Sequence, residues 1–233
     1  MNGAHSIVSD EVLFDELRQT ITQGEISSSS DRIIHLEELR RRIDQNSLKD
    51  KEQTIELLLY MTNSLGDIQP ESALICDLLF SLIERDSESF KNLAKVIRRP
   101  VTNEILCFTK IVPRLDFNKR KESIEILVDF LAYRTTPEDK GVNEVFTSLQ
   151  QLGNEDGQLA KAIVKAAFPY LDSSLSRIPA IVFAVRLCSK FGDKSVSDGM
   201  LSVLRNSIKG YYGNYNIHIQ QQICDYVERV KDP

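Results

Sequence analysis

Three histidines, four cysteines and ten glycines are the residues of this 233-residue chain whose spacing would decide whether it does chemistry. His5, His35 and His218 stand apart, so no pair has the i, i+4 spacing with which one helix holds zinc. Cys76, Cys107, Cys188 and Cys224 are also far apart, and each sits within an apolar helical pattern. They read as reduced, small core residues, not as a disulfide framework or a metal set. The glycines form no phosphate-cradling loop: no G-x-G-x-x-G follows a strand, and Gly153 to Gly157 lacks the Gly-Lys-Ser/Thr of a P-loop. His35 beside Glu37 and Glu38 could be an acid/base group, but on a charged helix ending Arg40-Arg41-Arg42 it reads as a solvated or half-buried side chain. The expectation is a chain that is not an enzyme, with no catalytic, cofactor-binding or metal-binding residues.

Most charge clusters have a structural explanation. Glu155 with Asp156, and Glu138 with Asp139 after Pro137, fall in predicted first turns, where negative charge complements the helix dipole. Arg40, Arg41 and Arg42 fall near a helix C-terminus, where cations are favoured and Glu37 and Glu38 can pair with them; Arg98-Arg99 before Pro100 is similar.

Two features resist that explanation. Asn118 reads as an N-cap, so Lys119, Arg120 and Lys121 crowd three cations onto the positive end of a helix, with Arg114 just before them at the preceding helix end. Both termini could present cations to one acidic or phosphorylated ligand. Tyr211, Tyr212 and Tyr215 lie in a Gly/Asn-rich turn and concentrate three of the seven tyrosines. Tyrosine couples apolar area to a polar tip, as interface anchors do, although such rings can equally cap the layer between the last helices. These seven residues are the candidate partner-binding set.

The elements that must position them are helices. Apolar residues recur at i, i+3, i+4, i+7 almost everywhere, as in Ile75, Leu78, Leu79, Leu82 and Ile124, Leu127, Val128, Leu131. Later faces are Val142, Val145, Phe146, Leu149, then Ala160, Ile163, Val164, Ala167, and Ile181, Ala184, Val185, Cys188. Ser47 before Asp50 and Ser195 before Asp198 resemble capping boxes, Pro70 and Pro137 suit first turns, and Gly66, Gly153, Gly192 and Gly210 suit helix ends. Together these signals predict about twelve helices. Their expected ends are near Gln23, Gln45, Leu65, Arg85, Arg98, Leu115, Arg134, Leu152, Tyr170, Phe191, Lys209 and Val230.

Two helices and their turns then take about 40 residues, the unit length of HEAT and armadillo arrays. In helix length, period and turn spacing the chain resembles that class of α-solenoids, without a recurring consensus word. The resemblance implies an all-α, right-handed α-solenoid of antiparallel helices spanning 9–230, between a loose N-terminus at 1–8 and a short tail at 231–233. A compact all-helical bundle would give much the same pattern.

Composition narrows the function classes. The net charge of −5 opposes whole-surface attraction to nucleic acid. Ala73 to Ile83 and Ile178 to Cys188 fall short of the roughly 20 residues that span a bilayer, so no membrane association is expected. Met1 to Ser9 has neither positive charge nor an apolar core, so no signal or transit peptide is read there, and the location expected is cytoplasmic or nuclear. The functional expectation is a protein-interaction scaffold, adaptor or regulatory subunit with protein partners, acidic or phosphorylated at the basic turn. The alternatives are a nucleic-acid-associated protein using the local basic patch, and a helical-bundle enzyme or small-ligand protein.

Overall fold

A computed structural model of the chain describes residues 9–22, 29–65, 70–97, 102–133, 140–171, 178–196, 198–203 and 215–231. Every regular element among them is a helix, so the chain is all-α. No helix among the described residues is long and apolar enough to cross a membrane. The chain divides into two compact units, Met1–Asp116 and Phe117–Pro233.

The first unit contains α1 (Asp10–Thr22), α2 (Ser29–Asp44), α3 (Lys51–Leu65), α4 (Pro70–Arg85), α5 (Ser87–Ile97) and α6 (Thr102–Ile111), followed by a 3-10 turn, Val112–Arg114. Side chains close the helix ends. The Ser9 hydroxyl accepts from the Val12 N–H at 3.3 Å, with Asp10 and Glu11 in the first turn of α1. Asp86 does the same for α5, accepting from the Glu88 N–H and the Ser89 hydroxyl. Pro70 opens α4 as its position predicts, because its missing N–H is not needed there. Ser47, expected to cap α3, instead donates to the Arg42 carbonyl at the end of α2; Asp50 caps α3 by accepting from the Gln53 N–H at 2.8 Å. Asn46 provides the left-handed residue after α2, with φ of 50°.

Packing in this unit mostly joins helices one or two apart in sequence. α1 meets α2 and α3, α2 meets α4, α3 meets α4 and α5, and α4 meets α5 and α6; α3 also reaches α6. The periodic leucines account for it: Leu78 and Leu79 of α4, Leu58 of α3 and Leu93 of α5 are all fully buried. Each such side chain contributes about 1.5–3 kcal/mol by leaving water.

The second unit contains α7 (Phe117–Tyr133), α8 (Lys140–Glu155), α9 (Gly157–Ala167) with a 3-10 extension Phe168–Leu171, α10 (Ile178–Phe191), a 3-10 turn Lys194–Val196, helical residues 198–203, and α11 (Tyr215–Lys231). α9 packs on α7, α8 and α10, and α10 also packs on α7 and α11. Most positions of the predicted quartets form the core, with Leu127, Val145, Leu149, Ile163 and Val185 all fully buried, whereas Ala160 and Val164 are half-buried.

Four local expectations change here. α7 begins at Phe117, so Asn118 lies inside its first turn and Asp116 occupies the capping position. Glu155 is the last residue of α8, not part of a first turn, whereas Asp156 caps α9 by accepting from the Gln158 and Leu159 N–H groups at 2.6 and 3.3 Å. Gly153, read as a helix end, lies within α8, where an added Cβ would come within 2.6 Å of the Phe191 ring. Its role is a close approach of side chain to backbone. Ser195, read as a cap, lies inside the Lys194–Val196 turn and donates its hydroxyl to Asp193 at 2.5 Å.

Candidate functional site

The described arginines of the first unit lie beside acids. Arg42, 5 % exposed, donates to Asp10 at 2.6 Å and to Glu38 at 2.9 Å, and Asp10 also accepts from the Lys49 N–H. Arg41 grips the same Glu38 through two nitrogens at 2.7 and 2.8 Å, and Arg40 reaches Glu37 at 3.4 Å. The Arg41 hydrogen bonds, opposed by partial burial and reinforced by Arg42, hold the Glu38 carboxyl down at about 2. Arg32 meets the fully buried Glu71 at 2.9 Å. Burial works to raise that carboxyl, but its own N–H, the Ser29 hydroxyl and Arg32 outweigh burial and lower it. His35 lies 3.5 Å from Glu16 of α1, not in a group with Glu37 and Glu38.

Arg114, the first residue of the expected basic cluster, belongs to this network. Its guanidinium is 2.6 Å from Asp77 and 4.0 Å over the Phe80 ring, and Asp77 also faces Arg40 at 3.8 Å. The rest of the cluster opens α7 in the second unit. Lys119 is half-buried, with its carbonyl accepting from the Ser123 hydroxyl. Arg120 lies 3.5 Å from Glu155, which also accepts from Gln151. Lys121 is exposed and makes no ion pair among the described residues.

Lys121 stands at the edge of a groove of about 480 Å³ between α7 and α9. Lys121, Glu125 and Asp129 follow each other at i, i+4 along α7, while Lys161 and Lys165 do so along α9. Ala162 and Ala166 leave the floor open, and the Tyr170 hydroxyl donates to Asp129 at 2.7 Å at one side. A second groove of about 400 Å³ lies on the other flank of α9 and shares Lys161, Lys165 and Pro169 with the first. Its floor is apolar, formed by Val164, Phe168, Phe191 and Val196. Phe168 is 42 % exposed although its ring lies against Gly199, where any side chain would collide with it. At the rim Asp193 is held below the usual carboxylate range by the Ser195 hydroxyl and N–H, against slight burial, with attraction from Lys161. The Tyr226 hydroxyl of α11 donates to the Asp193 carbonyl and anchors this rim.

α9 is therefore a ridge with two lysines on its crest, a mixed-charge groove on one side and an apolar groove on the other. Lys161 and Lys165 make no ion pair among the described residues. Arg186 of α10 is likewise matched to a ring instead of a carboxylate, 4.1 Å over Phe146, and burial lowers its pKa. Among the described residues no three His, Cys, Asp or Glu side chains are grouped to hold a metal ion. Tyr211 and Tyr212 lie outside the described residues, and Tyr215 opens α11 with its side chain outside them.

Lys161, Lys165 and Phe168 were not singled out from the sequence. Their available signal is the pattern Lys161-x-x-x-Lys165 with alanines at 162 and 166 on the non-core side of an amphipathic helix, short side chains where long polar ones usually stand. No protein-family model and no curated protein matches the sequence.

Proposed function

We propose that the chain is a non-enzymatic interaction module, a scaffold, adaptor or regulatory subunit, that docks an acidic amphipathic segment of a partner protein along α9. The observation that carries this reading is the ridge itself. Lys161 and Lys165, one turn apart and without an ion pair among the described residues, stand between an apolar floor with a half-exposed phenylalanine and a groove edged by Lys121. A helix or extended peptide bearing one or two apolar anchors and flanking carboxylates fits both features. Lys119, Arg120 and Lys121 extend the positive end of the same surface along α7. Glu125, Asp129 and Asp193, interleaved with the lysines, disfavour a polyphosphate backbone and favour a partner that presents both signs of charge.

The architecture in this reading is a HEAT/armadillo-like solenoid. Supporting it, most of the helix packing in each unit joins elements one or two apart in sequence, the arrangement of stacked antiparallel hairpins.

Quantitative affinity purification from the protein's own cells, with wild type beside Lys161→Glu/Lys165→Glu, tests the assignment. The expected result is selective loss of one or more proteins from the variant at unchanged melting temperature, with at least tenfold weaker binding when the lost protein is reconstituted with purified chain. Equal recovery of every protein by both forms would refute it.

A further inference from the structure

We propose that Cys76 and Cys107 are a thiol–disulfide site, and that a peroxide oxidant joins them into a covalent tie between α4 and α6. The sequence places them 31 residues apart on different helices, yet their Sγ atoms lie 2.7 Å from each other inside the first unit, close to the roughly 2.05 Å of a formed bond. Both thiols are buried, at 5 % and 3 % exposed. Either sulfur can donate a hydrogen bond to the other. The surrounding contacts fix the approach. Arg114, just beyond α6, clamps onto Asp77 at 2.6 Å and onto the Phe80 ring at 4.0 Å, and Asp77 is the residue next to Cys76. The two sulfurs therefore need only a small movement to bond.

The chemistry balances with one hydrogen peroxide. One thiolate attacks a peroxide oxygen, the O–O bond breaks, a sulfenic acid forms and the departing hydroxide takes a proton to become water. The second thiolate attacks the sulfenic sulfur, the S–O bond breaks, a second water leaves and the S–S bond forms. Two thiols and one peroxide give one disulfide and two waters; each sulfur loses one electron and the peroxide gains two. The remaining cysteines supply internal comparisons. Cys188 is fully buried in α10, with its thiol pushed up to about 12 by burial, and Cys224 of α11 is exposed.

The test treats the full chain with graded hydrogen peroxide, alkylates it in denaturant, and maps the cysteines by peptide mass spectrometry with and without reductant. Cys224→Ser prevents cross-links between molecules, while wild type run alongside reports when an exposed thiol has reacted. The expected product is a Cys76–Cys107 peptide pair lacking two hydrogens, released by dithiothreitol. Cys188 should remain alkylatable, and melting temperature should rise by about 5–10 °C, because the tie shortens the unfolded loop. The proposal is overturned if Cys76 and Cys107 both stay alkylatable at peroxide levels that consume Cys224, or if they oxidise to sulfinic acids without joining. Neither outcome depends on a core variant that could fail to fold.

Discussion

Arg42 in the first unit and Lys161 in the second carry the same charge under opposite conditions. Arg42 is almost wholly buried and satisfied by Asp10 and Glu38, residues of two different helices, so its charge holds α1 to α2. Lys161 is exposed on the crest of α9, has no ion pair among the described residues, and borders two grooves. Arg32, on the buried Glu71, follows the first pattern; Arg41 and Arg114 are paired but exposed, and Lys121 and Lys165 follow the second. A cation matched by internal carboxylates stabilises the fold, and its removal leaves buried acids unpaired. A cation without such a match costs little to remove and is available to a partner.

The core common to both units sets the upper limit of effect. Leu79→Asp and Leu127→Asp each place a charge where exposure is zero, and should unfold or severely destabilise the chain, since an unpaired buried charge costs several kcal/mol against roughly 5–15 kcal/mol in total. A wild-type urea midpoint in either variant would show that its face is not core. Next comes the contrast itself. Arg42→Ala should lose about 3–5 kcal/mol by leaving the largely buried Asp10 without its cation, while Glu38 keeps Arg41. Lys161→Ala and Lys165→Ala should stay within about 0.5 kcal/mol of wild type. Equal losses from all three, measured by chemical denaturation, would erase the distinction.

A smaller effect is expected in acid. Glu38 has its carboxyl lowered from 4.5 to about 2, so the folded state holds it ionised more tightly than the unfolded chain does. Its contribution is fully present above about pH 4.5 and is lost as pH falls towards 2. Glu38→Gln should flatten the melting-temperature profile over that window; an unchanged acid limb would deny the Arg41–Glu38–Arg42 group its role. The smallest expected change belongs to Lys119→Glu/Arg120→Glu/Lys121→Glu. Removing cations from the positive end of α7 offsets the loss of the Arg120–Glu155 contact, and a charge at a helix end is worth at most about 1 kcal/mol when exposed, as Lys121 is.

Much of the fold was legible because it is local. Helix faces such as Ile124 to Leu131 and ends such as Leu65 and Arg85 follow from 3.6-residue periodicity and cap chemistry, which act within one or two turns. The pairing of Arg40 and Arg41 with Glu37 and Glu38 is local for the same reason. The ridge was not legible, since Lys121 and Lys161 stand 40 positions apart and meet one groove only because α7 and α9 lie side by side. The contacts of Arg114 show the same limit. Adjacent to Lys119 in sequence, Arg114 is held by Asp77 and Phe80, partners more than 30 positions upstream that no local rule identifies. The Cys76–Cys107 contact and the Gly153–Phe191 approach are likewise products of tertiary packing.

The most direct test of the division between structural arginines and available lysines is one paired measurement. Partner affinity as a function of salt, and melting temperature, are taken for Lys121→Glu/Lys161→Glu/Lys165→Glu beside Arg40→Glu/Arg41→Glu/Arg42→Glu. The partner is the protein whose recovery depends most on Lys161 and Lys165. The lysine variant should keep its melting temperature within a few degrees while losing both affinity and its salt dependence, screened over about 10 Å at 0.1 M salt. The arginine variant should melt much earlier. Wild-type affinity in the lysine variant, or a melting loss equal to that of the arginine variant, would contradict this division.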